Sequence, residues 1–217
     1  GAHALEIGCG WGGFMEYAAV ERGARITGVS ISGEQCDYTR QRLARAAVSD
    51  QAAVDFCDYR QLEGQYKHIV SIEMFEAVGE AYWPIYAAKL KSLLAPGGRV
   101  ALQTITIEEA RFEGYRRSPD FIQRYVFPGG MLPTKAALKS ALGKAGLKIT
   151  DRFDFGLDYA RTLVEWRERF DASWSAIVKL GFDERFRRLW HYYFAYCEAG
   201  FRDKAVDVVQ VGIEHDR

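Results

Sequence analysis

Cysteine is scarce. Four of 217 residues, Cys9, Cys36, Cys57 and Cys197, are too few and too scattered for a disulfide scaffold, and no two have the spacing of a metal site. No metal is therefore expected, and a reduced, cytosolic setting is the simplest reading. An excess of either charge is also missing: 29 Lys and Arg balance 29 Asp and Glu, for a formal net charge of +0. A nucleic-acid partner would call for a basic excess and is not expected. A local basic group, Arg111, Arg116, Arg117 and Arg124, does suit an anionic lipid surface. No apolar run is long enough to span a bilayer. Internal repeats and low-complexity tracts are absent.

What is present is the balance of a globular chain, 48% hydrophobic and 27% charged, with length enough for one α/β domain and a real core. The organising stretch is Leu5-Glu6-Ile7-Gly8-Cys9-Gly10-Trp11-Gly12-Gly13. It reads as a buried strand, a glycine turn, and a helix from about Phe14 to Arg22. Glycines that admit close approach and free N–H groups at a helix start make a nucleotide cradle. Gly8, Gly10 and Gly13 satisfy the dinucleotide fingerprint G-x-G-x-x-G. That fingerprint expects an acid after the second strand to hold ribose hydroxyls. Here the second strand, Arg25 to Val29, is followed by Ser30, which weakens a nicotinamide oxidoreductase. Glu6 ahead of Gly8 and Gly10 gives instead E-x-G-x-G, the pattern of S-adenosylmethionine-dependent methyltransferases.

Further along, an ordered set of motifs appears: Gly28-Val29-Ser30-Ile31-Ser32-x-x-Gln35, Asp58-Tyr59-Arg60, Met74-Phe75-Glu76-x-Val78-Gly79, Phe127-Pro128-Gly129-Gly130-x-Leu132-Pro133 and Tyr159-Ala160-x-Thr162-Leu163. Together they resemble the cyclopropane-fatty-acyl-phospholipid synthase family, which includes the mycolic acid cyclopropane synthases. The resemblance implies a Rossmann-like class I methyltransferase fold: a seven-stranded, mostly parallel sheet with helices on both faces, its last strand inserted antiparallel, plus a helical, aromatic insertion. It implies a single domain over residues 1–217. Family members carry a helical segment ahead of the glycine turn that helps cover the cofactor and supplies an active-site Cys, so this chain is expected to be a truncated form.

The residue text fits such a plan. Ser32, with Gln35 three positions on, predicts a capping box opening a helix to about Ala47. Strands are expected over Ala53–Cys57, His68–Met74, Arg99–Ile107, Leu147–Phe153 and Val206–Glu214. Helices are expected over Tyr82–Leu94, stopped by Pro96-Gly97-Gly98, and over Thr134–Ala145. Two stretches stand outside the alternation, 108–133 and 155–202, and are expected to cover the substrate. The aromatics after Tyr159 are read as wall and core together.

The resemblance also implies site residues. Gly8 and Gly10 bring the backbone to the methionine part of S-adenosylmethionine, and Glu6 orients the turn. Ser30 and Gln35 contact the cofactor, with Gln35 on ribose hydroxyls in place of a carboxylate. Asp58 and Tyr59 meet the adenine, Tyr59 by stacking, and Ile72 lines its other face. Glu76, Tyr159 and the backbone at Ile105 hold a bicarbonate ion that serves as base. Where the family has His in His-Thr-Ile, this chain has Gln103-Thr104-Ile105. Gln takes up no proton near neutral pH but still hydrogen-bonds an anion or a water, so cyclopropane and methyl-branched outcomes both stay open. The implied reaction is methyl transfer to the double bond of an unsaturated phospholipid acyl chain through a carbocation. The implied setting is cytoplasmic and peripheral at the inner membrane face, with a homodimer possible. Phe112, Tyr115, Phe121, Tyr125 and Phe127 among the arginines suit an interfacial lip, or else a lid over the cofactor. A methyltransferase for a soluble small molecule and a cofactor-binding module without turnover are the rival readings.

Overall fold

A computed structural model describes residues 3–216. Strands β1 (His3–Ile7), β2 (Arg25–Ser30), β3 (Ala52–Phe56), β4 (Tyr66–Ile72), β5 (Leu94–Ile107), β6 (Leu147–Asp154) and β7 (Val206–His215) form one sheet. Its order is β3-β2-β1-β4-β5-β7-β6. Strands β1 to β5 pair in parallel, and β7 enters antiparallel between β5 and β6. The strand order reverses between β1 and β4. In such sheets a crevice opens beyond the strand carboxyl ends at that point.

Nine α-helices are described: α1 (Gly13–Arg22), α2 (Gly33–Arg45), α3 (Trp83–Leu93), α4 (Glu109–Arg117), α5 (Phe121–Tyr125), α6 (Lys135–Lys144), α7 (Gly156–Ala172), α8 (Trp174–Lys179) and α9 (Glu184–Arg202). Strand alternation sends successive side chains to opposite faces. Val209, Val211 and Ile213 of β7 join Tyr86 and Leu90 of α3 and Leu138 and Leu142 of α6 in the largest core cluster. Val208 goes the other way, to Ala160 and Leu163 of α7 and Phe194 and Phe201 of α9. A third cluster seats Met15 of α1 and Cys36 and Leu43 of α2 on Ile26 and Val54. Helices thus cover both faces, as the family resemblance implies.

Several boundaries differ from the expected ones. Strand β5 starts at Leu94, ahead of Pro96-Gly97-Gly98, so that tripeptide lies within the strand rather than ending a helix; a register shift between Tyr66 and His68 of β4 accompanies it. Strand β4 ends at Ile72, which leaves Glu73 and Met74 outside the ladder. The late helical region opens at Gly156, whose N–H donates to Asp207 Oδ1 at 2.9 Å. The capping box at α2 is half formed. Ser32 Oγ accepts the Gln35 N–H, but the Gln35 side chain takes a hydrogen bond from Ser30 Oγ at 2.7 Å instead of returning to the backbone. A complete capping box stands at Asp120 and Gln123, opening α5 within the stretch expected to be irregular.

Candidate active site

The glycine turn is fixed by one carbonyl. The N–H groups of Gly8 and Cys9 both donate to Val29 O at 3.0 Å. Glu6 takes no part in that bond. The residue is 2% exposed, and Oε2 has no hydrogen-bond partner among the described residues. Its buried strand position leaves Oε2 facing no backbone donor of the turn. Burial pushes its carboxyl up to about 8. A bare buried acid beside the turn is a group poised for a partner of positive charge.

Gly8, Gly10 and Gly12 all have positive φ. A Cβ at Gly10 would meet no heavy atom within 4 Å, so the backbone there is open to a ligand. Gly12 is closed instead: its Cβ would stand 2.6 Å from Thr39 Cγ2. Gly13, the third glycine of the fingerprint, is only the first residue of α1 and carries no such demand. Gly12→Ala is expected to destabilise the fold by about 2–4 kcal/mol, from left-handed backbone strain plus overpacking. Urea titration measures it, and a loss below about 1 kcal/mol would contradict the close packing described.

Ser30 is buried at the end of β2, donates to Gln35 Oε1, and accepts the Ser32 N–H. With the Gln35 carbonyl taken, its N–H2 is the group left for a ligand. Asp58 pairs with Arg60 at 2.5 Å and caps a one-turn 3-10 helix, which holds its carboxyl below the usual range. Tyr59 is buried, its ring edge-on to Tyr86 with centroids 5.1 Å apart. Ile72 closes β4 opposite Gln103. These residues stand at or just beyond the carboxyl ends of β1 to β4. They fit a nucleoside-bearing cofactor: the backbone opens at Gly10, an amide is oriented at Gln35, and an unpartnered acid waits at Glu6.

The acids gather next door. Met74 Sδ lies 3.1 Å from where a Gly8 Cβ would be, so the glycine turn abuts the segment that follows β4. That segment carries Glu73 and Glu76. Glu76 Oε1 accepts the Ile105 N–H at 2.6 Å, whereas Oε2 is buried without a partner. Burial drives the Glu76 carboxyl up to about 7, against the lowering pull of the Ile105 N–H. Glu73 is the residue that sequence reading missed. It collects Tyr159 Oη on both carboxylate oxygens at 3.0 Å and Gln103 Nε2 on Oε1 at 2.8 Å. Gln210 Nε2 in turn donates to Gln103 Oε1 at 2.9 Å, which fixes the Gln103 amide with its N–H2 toward Glu73. Burial, and then the Glu73 carboxylate, hold the Tyr159 phenol far above its ordinary value, so it remains a donor. The available signal for Glu73 was an acid directly after an apolar central strand, three residues before Glu76.

This arrangement does not fit a bicarbonate ion. The donors that the resemblance assigns to the anion are committed to protein carboxyls: Tyr159 and Gln103 to Glu73, the Ile105 N–H to Glu76. A further anion would face two acids and would have to share its assigned donors with Glu73 and Glu76.

A cavity of about 820 Å3 is lined by Glu73, Glu76 and Ile105 and runs beneath α4 and α5 against α9. Its other walls include Ile107, Tyr115, Ile122, Val126, Phe127, Met131, Leu132, Tyr193 and Phe201. Its size is that of a small-molecule site. None of Gly8, Gly10, Ser30, Gln35, Asp58 or Tyr59 lines it, so it is a space apart from the glycine turn and the residues grouped with it. Of the late aromatics, Tyr193, Tyr196 and Phe201 reach it, while Phe170, Trp190 and Phe194 pack on one another. The expected basic lip is largely neutralised. Arg111 pairs with Glu108 and Asp203, Arg116 with Glu80, and Arg117 with Glu113. Tyr125 and Phe127 remain exposed. Among the described residues, no helix is long and apolar enough to cross a membrane, and no cluster of metal-ligating side chains occurs.

The fold is that of the class I S-adenosylmethionine-dependent methyltransferases. Residues 1–211 match the family model of mycolic acid cyclopropane synthetase, and the chain belongs to that family. It is 47% identical to the tuberculostearic acid methyltransferase UfaA1 of Mycobacterium tuberculosis over 97% of its own length and 49% of that protein. It is 34% identical to the cyclopropane-fatty-acyl-phospholipid synthase of Escherichia coli K12, again over 97% of this chain and 53% of that one. The chain thus spans about half the length of these curated relatives. The cyclopropane synthase MmaA2 from Mycobacterium tuberculosis superposes with a TM-score of 0.89 at 26% identity, covering 98% of this chain and 78% of that one. A mycolic acid cyclopropane synthase, CmaA1, complexed with SAH and CTAB gives the same score, identity and coverage.

Proposed function

We propose that this chain forms the methyltransferase core of an enzyme that adds a one-carbon unit to the double bond of an unsaturated fatty acyl chain of a phospholipid. The observation that carries the reading is an apolar chamber with two carboxyls, Glu73 and Glu76, in its lining. A methyltransferase acting on an oxygen or nitrogen of a soluble molecule has no need of such a pair. S-adenosylmethionine, when bound, supplies an electrophilic methyl group on a sulfonium. Gly8, Gly10, Ser30, Gln35, Asp58, Tyr59 and Ile72 would hold it, with the unpartnered carboxyl of Glu6 as a site for its positive charge.

An isolated C=C bond is a weak nucleophile, so the protein must hold it still and keep water out. The apolar walls at Ile107, Ile122, Val126 and Leu132 do the excluding. Methyl transfer leaves a cation on the acyl chain. Tyr115 and Tyr193 offer ring faces worth about 0.5–2 kcal/mol each to a desolvated cation, and the carboxyls offer charge. Loss of a proton then gives either a cyclopropane ring or a methyl-branched unsaturated chain. Tyr125 and Phe127 beside the chamber suit entry from a membrane surface.

The intact protein, incubated with methyl-labelled S-adenosylmethionine and vesicles of unsaturated phospholipid, is expected to place label in the acyl chains and none in saturated controls. Mass spectrometry of the released chains reads the result. Label confined to a headgroup or to a soluble acceptor would overturn the substrate reading.

A further inference from the structure

We infer that Glu73 is the built-in base of this site, doing from within the chain what the family resemblance assigns to a separately bound anion. The inference rests on the proposed alkene chemistry and adds the residue that ends it.

Four elements converge on this one side chain. Strand β7 supplies Gln210, which sets the Gln103 amide of β5, which donates to Glu73 beyond β4; α7 supplies Tyr159, whose hydroxyl bridges both Glu73 oxygens. Backbone joins in, with the Glu73 N–H donating to Gln103 O at 2.9 Å. The residue is held at φ +54, a conformation that side-chain-bearing residues rarely adopt. Strain of this kind, about 1–3 kcal/mol, persists where surrounding contacts over-determine it, and such places cluster at functional sites. Glutamine at position 103, neutral at all accessible pH and held by Gln210, presents its N–H2 to Glu73. The carboxylate lines the acceptor chamber, as does Glu76.

The step balances without a further reactant. The alkene's π electrons form the new C–C bond as the S–CH3 bond breaks, leaving a neutral thioether and a carbocation. Glu73 takes a proton from a carbon next to the cationic centre, or from the transferred methyl. The electrons of that C–H bond form the double bond or close the ring, and Glu73 becomes a neutral acid that releases its proton on product departure.

The test uses the intact protein and two readouts. Titration of 13C-bicarbonate in the presence of S-adenosylhomocysteine needs no lipid: the wild type is expected to show no saturable binding. Glu73→Gly, which frees Tyr159 and Gln103, is expected to gain such a site. In lipid assays, wild-type turnover is expected to change less than twofold between bicarbonate-depleted and bicarbonate-supplemented buffer. Glu73→Gln is expected to lose about 100-fold in turnover while S-adenosylhomocysteine affinity by calorimetry and the thermal midpoint hold. Saturable bicarbonate binding by the wild type, or Glu73→Gln with wild-type turnover and product, overturns the inference. A wild type that moves no label into lipid counts against the substrate reading instead, since the anion titration stands apart from it.

Discussion

Glu76→Gln is expected to lower acyl-chain methylation by about 1,000-fold while leaving the fold intact. Gln keeps the oxygen that accepts the Ile105 N–H and keeps the shape. It replaces a buried, unpartnered carboxyl oxygen with an amide N–H2, at a stability cost of about 1 kcal/mol. What it removes is charge. Burial places the Glu76 carboxyl at about 7, so the group is divided between its two states near neutral pH. A cation forming in the chamber is stabilised only by the ionised state. Turnover is therefore expected to rise from about pH 6 to about pH 8 and then level off. The Gln variant is expected to lack that rise. A pH–rate profile of both proteins checks this. A Gln variant that retains both the rate and the rising limb would exclude Glu76 from the chemistry.

The second large effect concerns stability. Glu6 sits in the middle of a parallel ladder, between Leu5 and Ile7, both 0% exposed. Its carboxyl is displaced from 4.5 to about 8 by burial. The folded state therefore holds a proton that the unfolded chain gives up above about pH 4.5. Folding stability is lost progressively as pH rises from there to about 8, by up to about 5 kcal/mol. Glu76 acts in the same direction over a narrower window, to about 7. Glu6→Gln is expected to raise the melting temperature of the cofactor-free protein at pH 8 by about 5–10 °C. Near pH 5 the same change is expected to have little effect. Calorimetric melts at the two pH values measure it. Wild-type stability that stays flat between them would show that Glu6 is not a neutral buried acid. The same substitution is expected to weaken cofactor binding, because the acid is the unpartnered carboxyl nearest the glycine turn in sequence, able to ionise when a positive charge reaches it.

The glycine turn and the strand–helix alternation were legible in the sequence because they rest on local periodicity and on residues whose backbone freedom has no substitute; the seven-strand plan came with the family resemblance. Glycine at positions 8 and 10, apolar runs at β1 and β4, and stops near each helix end are properties of neighbours along the chain. Glu76, Tyr159 and Gln103 were named as site residues from ordered motifs, and the fold does bring all three to the carboxyl ends of β4 and β5. Which groups they touch was not legible. Tyr159 was expected on a bound ion and instead donates to Glu73, 86 residues away in sequence. Gln103 was expected to be a weakened histidine and is a strut between Gln210 and Glu73. Glu6 was expected to orient the turn, and its Oε2 is left without a partner.

By itself, then, the sequence determined an alternating α/β chain with a glycine cradle at its first strand, since hydrophobic period and glycine placement act over a few residues; that the sheet is a methyltransferase's came from the family resemblance. Only the tertiary structure decided where the charges rest. Hydrogen bonds across 30, 86 and 107 positions depend on strand register and helix docking, which no stretch of neighbours encodes. Those long-range bonds settle which carboxylate is held and which is left bare.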